Sequence, residues 1–149
     1  MRSLLYDELV PFYHLLDPLE DHADEGEAYG SLLLEAVPGA TSLLELGAGA
    51  GHGAYYLKAH FRQMTLSDLS SAMLARSAQL NPELTHVQGD MRELRLGQRF
   101  DCVLIHDAIS YLTNRSELLA TARTVREHLQ PQGAALLIPD CTKESFQQW

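Results

Sequence analysis

The chain has 149 residues, 46% hydrophobic and 21% charged, a composition typical of one ordinary globular domain. The sequence argues against a membrane protein, because no apolar run approaches the roughly 20 residues that a spanning helix needs, and it favours a cytoplasmic one. The net charge of −9 argues against a nucleic-acid partner, because ten acidic residues and no Lys or Arg lie between Arg2 and Lys58.

The predicted elements follow the periodicity of the apolar residues along the chain. Two helices come first, near residues 6–16 and 24–37, and form an N-terminal helical cap over residues 1–40. In the core that follows, residues 41–140, apolar runs alternate with helical patterns, which is typical of a parallel sheet built from βαβ units. The predicted strands span residues 42–46, 64–67, 84–88, 100–106 and 134–138, and the helices between them span residues 53–60, 71–80 and 116–130.

The helix predicted over residues 116–130 has the clearest boundaries. Asn114 and Glu117 have the spacing of a capping box, and Pro131 and Gly133 are expected to end the helix. The strands, in contrast, are nearly continuously apolar, which indicates burial on both faces. The sequence therefore predicts an α/β fold, a mainly parallel sheet with helices on both faces.

The most informative segment is a strand that runs directly into a glycine-rich loop and then into a helix. Glycines occupy positions 47, 49, 51 and 53. Glycine lets the backbone turn sharply and lets a ligand approach it, and the free N–H groups at the start of a helix favour electronegative atoms. The loop therefore predicts a nucleotide-like cofactor, although glycine loops also serve in ordinary tight turns.

Acidic residues end the neighbouring strands. Asp68 follows the loop by about 20 residues, where an acid accepts both hydroxyls of a ribose, although Asp68 or Ser70 can instead cap the next helix. Asp90 follows the third strand, where a purine edge would lie. Together with Glu45, these acids are expected to converge on one crevice, because ligands of parallel sheets bind at the carboxyl ends of the strands.

Motifs in five stretches of the sequence resemble, in order, those of class I S-adenosylmethionine-dependent methyltransferases. The first is an E/D-x-G-x-G-x-G motif that begins at Glu45. The resemblance implies a Rossmann-like sheet with strand order 3-2-1-4-5, S-adenosylmethionine as the cofactor, and methyl transfer to an N or O nucleophile of a small molecule. The matching stretches are residues 45–51, 67–74, 88–91, 100–103 and 128–134.

The resemblance also implies how the acids and glycines meet the cofactor. Gly47, Gly49 and Gly51 would approach its methionine part and ribose. Glu45 would orient that loop or reach the amino group through water, and Asp68 would hold the ribose hydroxyls. These five residues are the expected centre of the cofactor site.

Further residues are expected around the adenine and over the cofactor. By the same resemblance, Asp90 would accept from the adenine amino group, Met91 would cover the ring, and Leu69 and Met73 would lie beside it. Tyr6 and Tyr13 match N-terminal aromatic residues that close over the cofactor in related small-molecule enzymes, although each tyrosine is as readily a core residue.

Two residues at the end of the fourth strand are the candidates for catalysis. His106 and Asp107 would face the methionine end and the methyl group, and His106 is the better placed general base, because its unperturbed pKa is about 6.5. A histidine with a purely structural hydrogen bond is the alternative. The seven histidines show no metal-ligand spacing, so no metal is predicted.

Three questions stay open at this point. A nicotinamide-dependent oxidoreductase also fits the glycine loop, and a non-catalytic binding or scaffold subunit fits the fold. The acidic N-terminal third slightly favours an amine acceptor. Strands 6 and 7 of the resembled family have no counterpart, so we expect a C-terminally incomplete domain, or a homo-oligomer that covers the exposed edge of the fifth strand.

Overall fold

A computed structural model describes residues 4–6 and 8–145, and residues 1–3, 7 and 146–149 of the predicted domain lie outside this description. Five parallel strands form one sheet, in which they lie side by side in the order 3-2-1-4-5, numbered along the chain. This order confirms the predicted Rossmann-like α/β fold. The strands are β1 (Ser42–Leu46), β2 (Gln63–Asp68), β3 (Thr85–Gln88), β4 (Phe100–His106) and β5 (Leu129–Ile138).

The helices lie before and between these strands. The three longer ones are α2 (Ala23–Ala36), α4 (Ser71–Leu80) and α5 (Arg115–His128), and the two short ones are α1 (Tyr13–Leu16) and α3 (His52–Leu57). Short 3-10 turns cover Leu4–Tyr6, Val10–Phe12, Leu19–His22 and Ala108–Tyr111. None of the described helices is long and apolar enough to cross a membrane.

The N-terminal helix predicted over residues 6–16 is wrong. The structure has two 3-10 turns and the four-residue helix α1 there. Pro11 lies in the second turn, and a proline inside a helix removes a backbone donor and clashes with the preceding turn. The apolar spacing of this segment therefore reflects packing of separate turns, since Val10 is buried with Met73 of α4.

The predicted cap of α5 is confirmed in part. The side chain of Asn114 accepts from the backbone N–H of Glu117 at 3.0 Å, as the capping box requires. The return bond differs, because the Glu117 carboxylate accepts from the N–H of Thr113 at 2.9 Å. The Asn114 bond satisfies a backbone donor that the first turn of the helix leaves free, whereas Thr113 precedes the N-cap.

The boundary between α5 and β5 lies earlier in the chain than the sequence predicts. The helix ends at His128, and β5 begins at Leu129, five residues before the predicted start. A register shift opposite Phe100 and Cys102 accommodates the extra residues. Gly133 belongs inside this strand, since a Cβ atom there would lie 2.6 Å from the carbonyl oxygen of Asp101. The predicted helix over residues 53–60 also ends early, at Leu57.

The core lies on both faces of the sheet. On one face Leu43 of β1 packs with Leu57 of α3, and on the other Leu44 of β1 packs with Val125 of α5. β1 is therefore buried on both sides, as its continuous apolar run predicts. Within the described residues β5 is an edge strand, paired only with β4. The core leaves the carboxyl ends of the strands free to form a site.

Candidate functional site

A cavity of about 500 Å³ opens at the carboxyl ends of the strands. The predicted site residues that line it are Tyr6, Tyr13, Glu45, Gly47, Gly49, Asp68, Leu69, Met73, Asp90, Met91, His106 and Asp107. The exception is Gly51, which packs behind the loop on α4, where its Cβ would lie 2.2 Å from the Ser77 side-chain oxygen. All but one of the predicted site residues therefore line one cavity.

The first turn of the glycine loop is tied to the end of β2. The N–H groups of Gly47 and Ala48 both donate to the carbonyl of Ser67, at 2.7 and 3.0 Å. Gly47 has a φ of 77°, and a Cβ atom there would lie 2.2 Å from that of Ala108. Only glycine fits both the conformation and the space, so the loop keeps its backbone open to the cavity.

Asp68 fixes the loop from the end of β2. One carboxylate oxygen accepts from the N–H of Gly49 at 2.9 Å, and the other accepts from the N–H of Ser70 at 2.8 Å. Ser70 caps α4, since its side chain accepts from the N–H of Met73 at 3.1 Å. The capping role therefore falls to Ser70, and the Asp68 carboxylate stands at the cavity wall.

Glu45 is a buried acid at the end of β1. Its exposure is 4%, and among the described residues its Oε2 atom has no hydrogen-bond partner. Burial, reinforced by the nearby charge of Asp68, raises the pKa of Glu45 to about 8. A buried carboxyl group without a partner is costly, so this oxygen is the strongest sign that a ligand group completes the site.

Asp90 is held by an arginine that the sequence analysis did not single out. The guanidinium of Arg92 donates to both oxygens of Asp90, at 2.9 and 2.6 Å, and also to Glu117 at 2.8 Å. The hydrogen bonds from Arg92 hold the pKa of Asp90 below its usual range, despite partial burial. Arg92 therefore keeps Asp90 ionised, as an acceptor at the cavity wall.

His106 has three polar groups close to one of its ring nitrogens. Its Nε2 atom is 3.2 Å from Asp107 Oδ1, 3.3 Å from the Tyr29 hydroxyl and 3.7 Å from Glu25 Oε2. Asp107 has a φ of 54°, rare for a residue other than glycine and often found at functional sites. Burial raises the pKa of Asp107, and Asp140 adds to the rise.

The aromatic wall is built from the N-terminal segment and the turn after β4. Tyr6 meets Tyr111 edge to face, with ring centroids 6.0 Å apart, and their hydroxyls are hydrogen bonded. Burial raises the pKa of Tyr6 and that of Tyr13, so both hydroxyls stay protonated donors. Tyr111 was not predicted, because its approach to Tyr6 spans 105 residues of sequence.

Three further polar residues of the cavity wall were missed. Asp17 and His22 precede α2, and His52 is the first residue of α3. None of these three residues was singled out from the sequence. No local motif links these positions, so only the folded arrangement shows that they meet.

The sequence of the chain is similar to those of known methyltransferases. The profile of a family described as "Methyltransferase domain" matches residues 43–133. A dTDP-3-amino-3,4,6-trideoxy-alpha-D-glucopyranose N,N-dimethyltransferase of Streptomyces venezuelae is 32% identical over 128 residues, covering 85% of this chain and 54% of the relative.

Solved structures give the same picture. DesVI of Streptomyces venezuelae superposes with a TM-score of 0.83 at 30% identity, covering 94% of this chain and 59% of its own. CalS10 of Micromonospora echinaspora, an amino pentose methyltransferase solved with S-adenosylmethionine bound, gives 0.81 at 30% identity, covering 85% of this chain and 54% of its own. The chain thus spans a little over half the length of these relatives.

Proposed function

Because the chain belongs to the methyltransferase domain family, we propose that it binds S-adenosylmethionine and transfers a methyl group to a nitrogen of a small molecule. The cofactor is supported by CalS10, which holds S-adenosylmethionine and resembles this chain at 30% identity. The observation that carries the proposal is the buried, unpartnered Glu45 beside a glycine loop anchored by Asp68.

The chemistry of the cavity fits this cofactor. S-adenosylmethionine carries a cationic amino group, and a cation beside Glu45 would supply the partner that its Oε2 atom lacks. Asp68 offers carboxylate oxygens for the ribose hydroxyls, and Asp90 is kept ionised as an acceptor by Arg92. Leu69, Met73 and Met91 also line the cavity, as apolar cover for an adenine.

The chain's own part in the reaction is alignment and proton transfer. When bound, the cofactor would supply a methyl group on a sulfonium, from which in-line attack by the acceptor nitrogen on the methyl carbon would release the neutral thioether S-adenosylhomocysteine. His106, hydrogen bonded by Tyr29 and flanked by Asp107, is positioned to receive the proton that an amine acceptor loses. Tyr6 and Tyr111 form an aromatic part of the cavity wall.

An amine on a sugar-like molecule is the proposed acceptor. The Streptomyces venezuelae relative is named for N,N-dimethylation of an amino sugar nucleotide. Glu25, Asp107 and Asp140 surround the His106 end of the cavity with acidic groups, which favour an amine over an anionic acceptor. We also propose that the protein is cytoplasmic, that it has no nucleic-acid partner, and that copies of the chain can associate along the edge of β5.

Methyl transfer itself is the test of this proposal. The chain is incubated with S-adenosylmethionine carrying a labelled methyl group and a panel of amino sugars, hydroxylated sugars, carboxylic acids and oligonucleotides. Label is expected on the amines. Preferred transfer to the acids or the oligonucleotides would contradict the amine assignment, and cofactor binding without transfer to any acceptor would favour the non-catalytic alternative.

A further inference from the structure

Two distant parts of the chain bring three potential metal ligands together. Asp17 Oδ1 is 2.8 Å from His22 Nε2, and Asp17 Oδ2 is 3.2 Å from His52 Nδ1. One ligand atom from each of the three residues can be chosen so that all lie within 4.8 Å of one another. The group lines the cavity beside the glycine loop, and the proposed methyl transfer leaves it without a role.

The types of these side chains suit a divalent transition metal. Two imidazoles and one carboxylate form the three-ligand set of many zinc and iron sites, in which the remaining position holds water or substrate. Tetrahedral bonds of about 2.0–2.2 Å place ligand atoms about 3.3–3.6 Å apart. The distances of 2.8 and 3.2 Å run to different oxygens of Asp17 and are shorter than this, whereas the chosen ligand atoms spread over up to 4.8 Å. The three side chains would therefore rearrange around a bound metal.

The surroundings of the group also favour a cation. The second ring nitrogen of His22 is 3.7 Å from Glu25 Oε2, so a small movement would let this carboxylate orient a ligating His22. His52 is only 6% exposed, whereas the Asp17 side chain is 32% exposed and keeps the group open to the cavity. Among the described lining residues Arg92 is the one Lys or Arg, and Asp90 and Glu117 already bind it.

We infer that Asp17, His22 and His52 form a binding site for one divalent transition metal ion, with Zn²⁺ as the best match to the ligand set. The metal would tie the N-terminal segment, which holds Asp17 and His22, to the first residue of α3. It would thereby fix the wall of the cavity next to the glycine loop. This inference departs from the sequence-based expectation of no metal, which considered spacing along the chain alone.

A metal-free hydrogen-bond network is the competing explanation. In that case each imidazole donates one N–H to Asp17, which holds the Asp17 pKa near 2 despite partial burial. The two explanations differ in what they predict for added metal. If the group is only a hydrogen-bond network, Zn²⁺ should not stabilise the folded chain. If it is a metal site, Zn²⁺ should bind with defined stoichiometry and raise the stability of the folded chain.

The test uses the full chain without an affinity tag, first stripped with a chelator. Zn²⁺ is titrated by calorimetry, bound metal is measured by elemental analysis after gel filtration, and Co²⁺ is added as a visible probe of tetrahedral coordination. One metal per chain, an intense Co²⁺ spectrum and a rise of several °C in Tm with Zn²⁺ are expected. Weak, non-saturating binding with no Co²⁺ spectrum would overturn the inference.

Variants identify the ligands. Asp17→Asn, His22→Ala and His52→Ala are each expected to weaken Zn²⁺ binding by about 100-fold or more, and Glu25→Gln by about 10-fold. His14→Ala, which changes an exposed histidine outside the group, is the matched control and should bind normally. Equal affinity in the wild type, His22→Ala and His52→Ala would place any bound metal elsewhere and overturn the inference.

The Co²⁺ spectrum needs only the wild-type chain, so it decides the question even if a variant fails to fold. S-adenosylmethionine binding is measured separately on metal-free protein. If metal binding is absent but S-adenosylmethionine binds, the metal inference has failed. If the metal binds but S-adenosylmethionine does not, the proposed function has failed.

Discussion

The carboxylate of Asp68 accepts a hydrogen bond from the backbone N–H of Gly49 at 2.9 Å and so ties the glycine loop to the end of β2. The residue proposed to hold the ribose thus also shapes the loop that faces the methionine part of the cofactor. A substitution at Asp68 should therefore affect both the binding of the ribose and the conformation of the glycine loop.

Asp68→Ala is expected to weaken S-adenosylmethionine binding by at least about 1.5–3 kcal/mol, the range for a hydrogen bond to a charged group. Calorimetry at constant pH and salt measures the change. Glu35→Gln, which neutralises an exposed acid of α2, is the control and should bind as the wild type does. Unchanged affinity in Asp68→Ala would remove Asp68 from the site.

Glu45 is expected to make the stability of the chain depend on pH. Its pKa is about 8 in the folded chain but about 4.3 when exposed, so the folded state holds this proton more tightly. The stabilisation that this bound proton gives the folded state is complete below about pH 4 and is lost as the pH rises through 8. The free energy of unfolding should therefore fall across this window by about 3–5 kcal/mol more in the wild type than in Glu45→Gln.

Urea unfolding between pH 4 and 9, without cofactor, measures this difference. Glu35→Gln removes an exposed acid and should leave the pH dependence unchanged. If Glu45→Gln and the wild type had parallel stability profiles, Glu45 would be ionised throughout and its buried oxygen would need another partner.

Gly47→Ala should destabilise the chain through two separable effects. Gly47 and Gly39 both have positive φ, 77° and 81°, but a Cβ atom at position 39 meets nothing within 4 Å. Gly39→Ala is therefore expected to lower the free energy of unfolding by about 1–2 kcal/mol, the cost of the left-handed conformation alone. Gly47→Ala should lower it by about 1–3 kcal/mol more, because of the clash with Ala108.

Chemical denaturation of the two variants under the same conditions gives this comparison. Cofactor affinity should fall only in Gly47→Ala, since position 39 lies outside the cavity lining of the described chain. Equal destabilisation of the two variants would mean that the loop relaxes away from Ala108.

His106→Gln should slow methyl transfer to an amine even when the cofactor is saturating. A positioned general base contributes about 10²- to 10⁴-fold to the rate, and glutamine keeps the polarity of the site but accepts no proton at neutral pH. Single-turnover assays with saturating cofactor measure the step, with His14→Ala as the control. A rate within a few-fold of the wild type would make His106 a structural residue, hydrogen bonded to Tyr29.

Where the sequence is regular, the fold could be predicted residue by residue. The bounds of β1 and β4 match the prediction because nearly continuous apolar runs mark strands that are buried on both faces. The bounds of α4 match because the Ser70 cap marks its start. The N-terminal helix failed because Pro11 breaks a pattern that apolar spacing alone suggests. The start of β5 was missed because Pro131 and Gly133 resemble a loop but lie in an edge strand, where the missing donor is tolerated.

The site could be predicted where it follows the order of the strands. Glu45, Asp68 and Asp90 meet because each ends a neighbouring parallel strand, a relation that topology alone provides. The contact between Asp17 and His52 spans 35 residues and follows no motif, so it depends on how irregular turns pack. Such contacts become visible only in the folded chain.

The central claim is that this cavity is built for S-adenosylmethionine. Calorimetric titration of the chain with S-adenosylmethionine, S-adenosylhomocysteine and NAD tests it most directly. The account predicts saturable binding of the first two at one site per chain, weakened in Asp68→Ala, and no binding of NAD. Tighter binding of NAD than of either adenosyl compound would contradict it and favour a nicotinamide-dependent oxidoreductase.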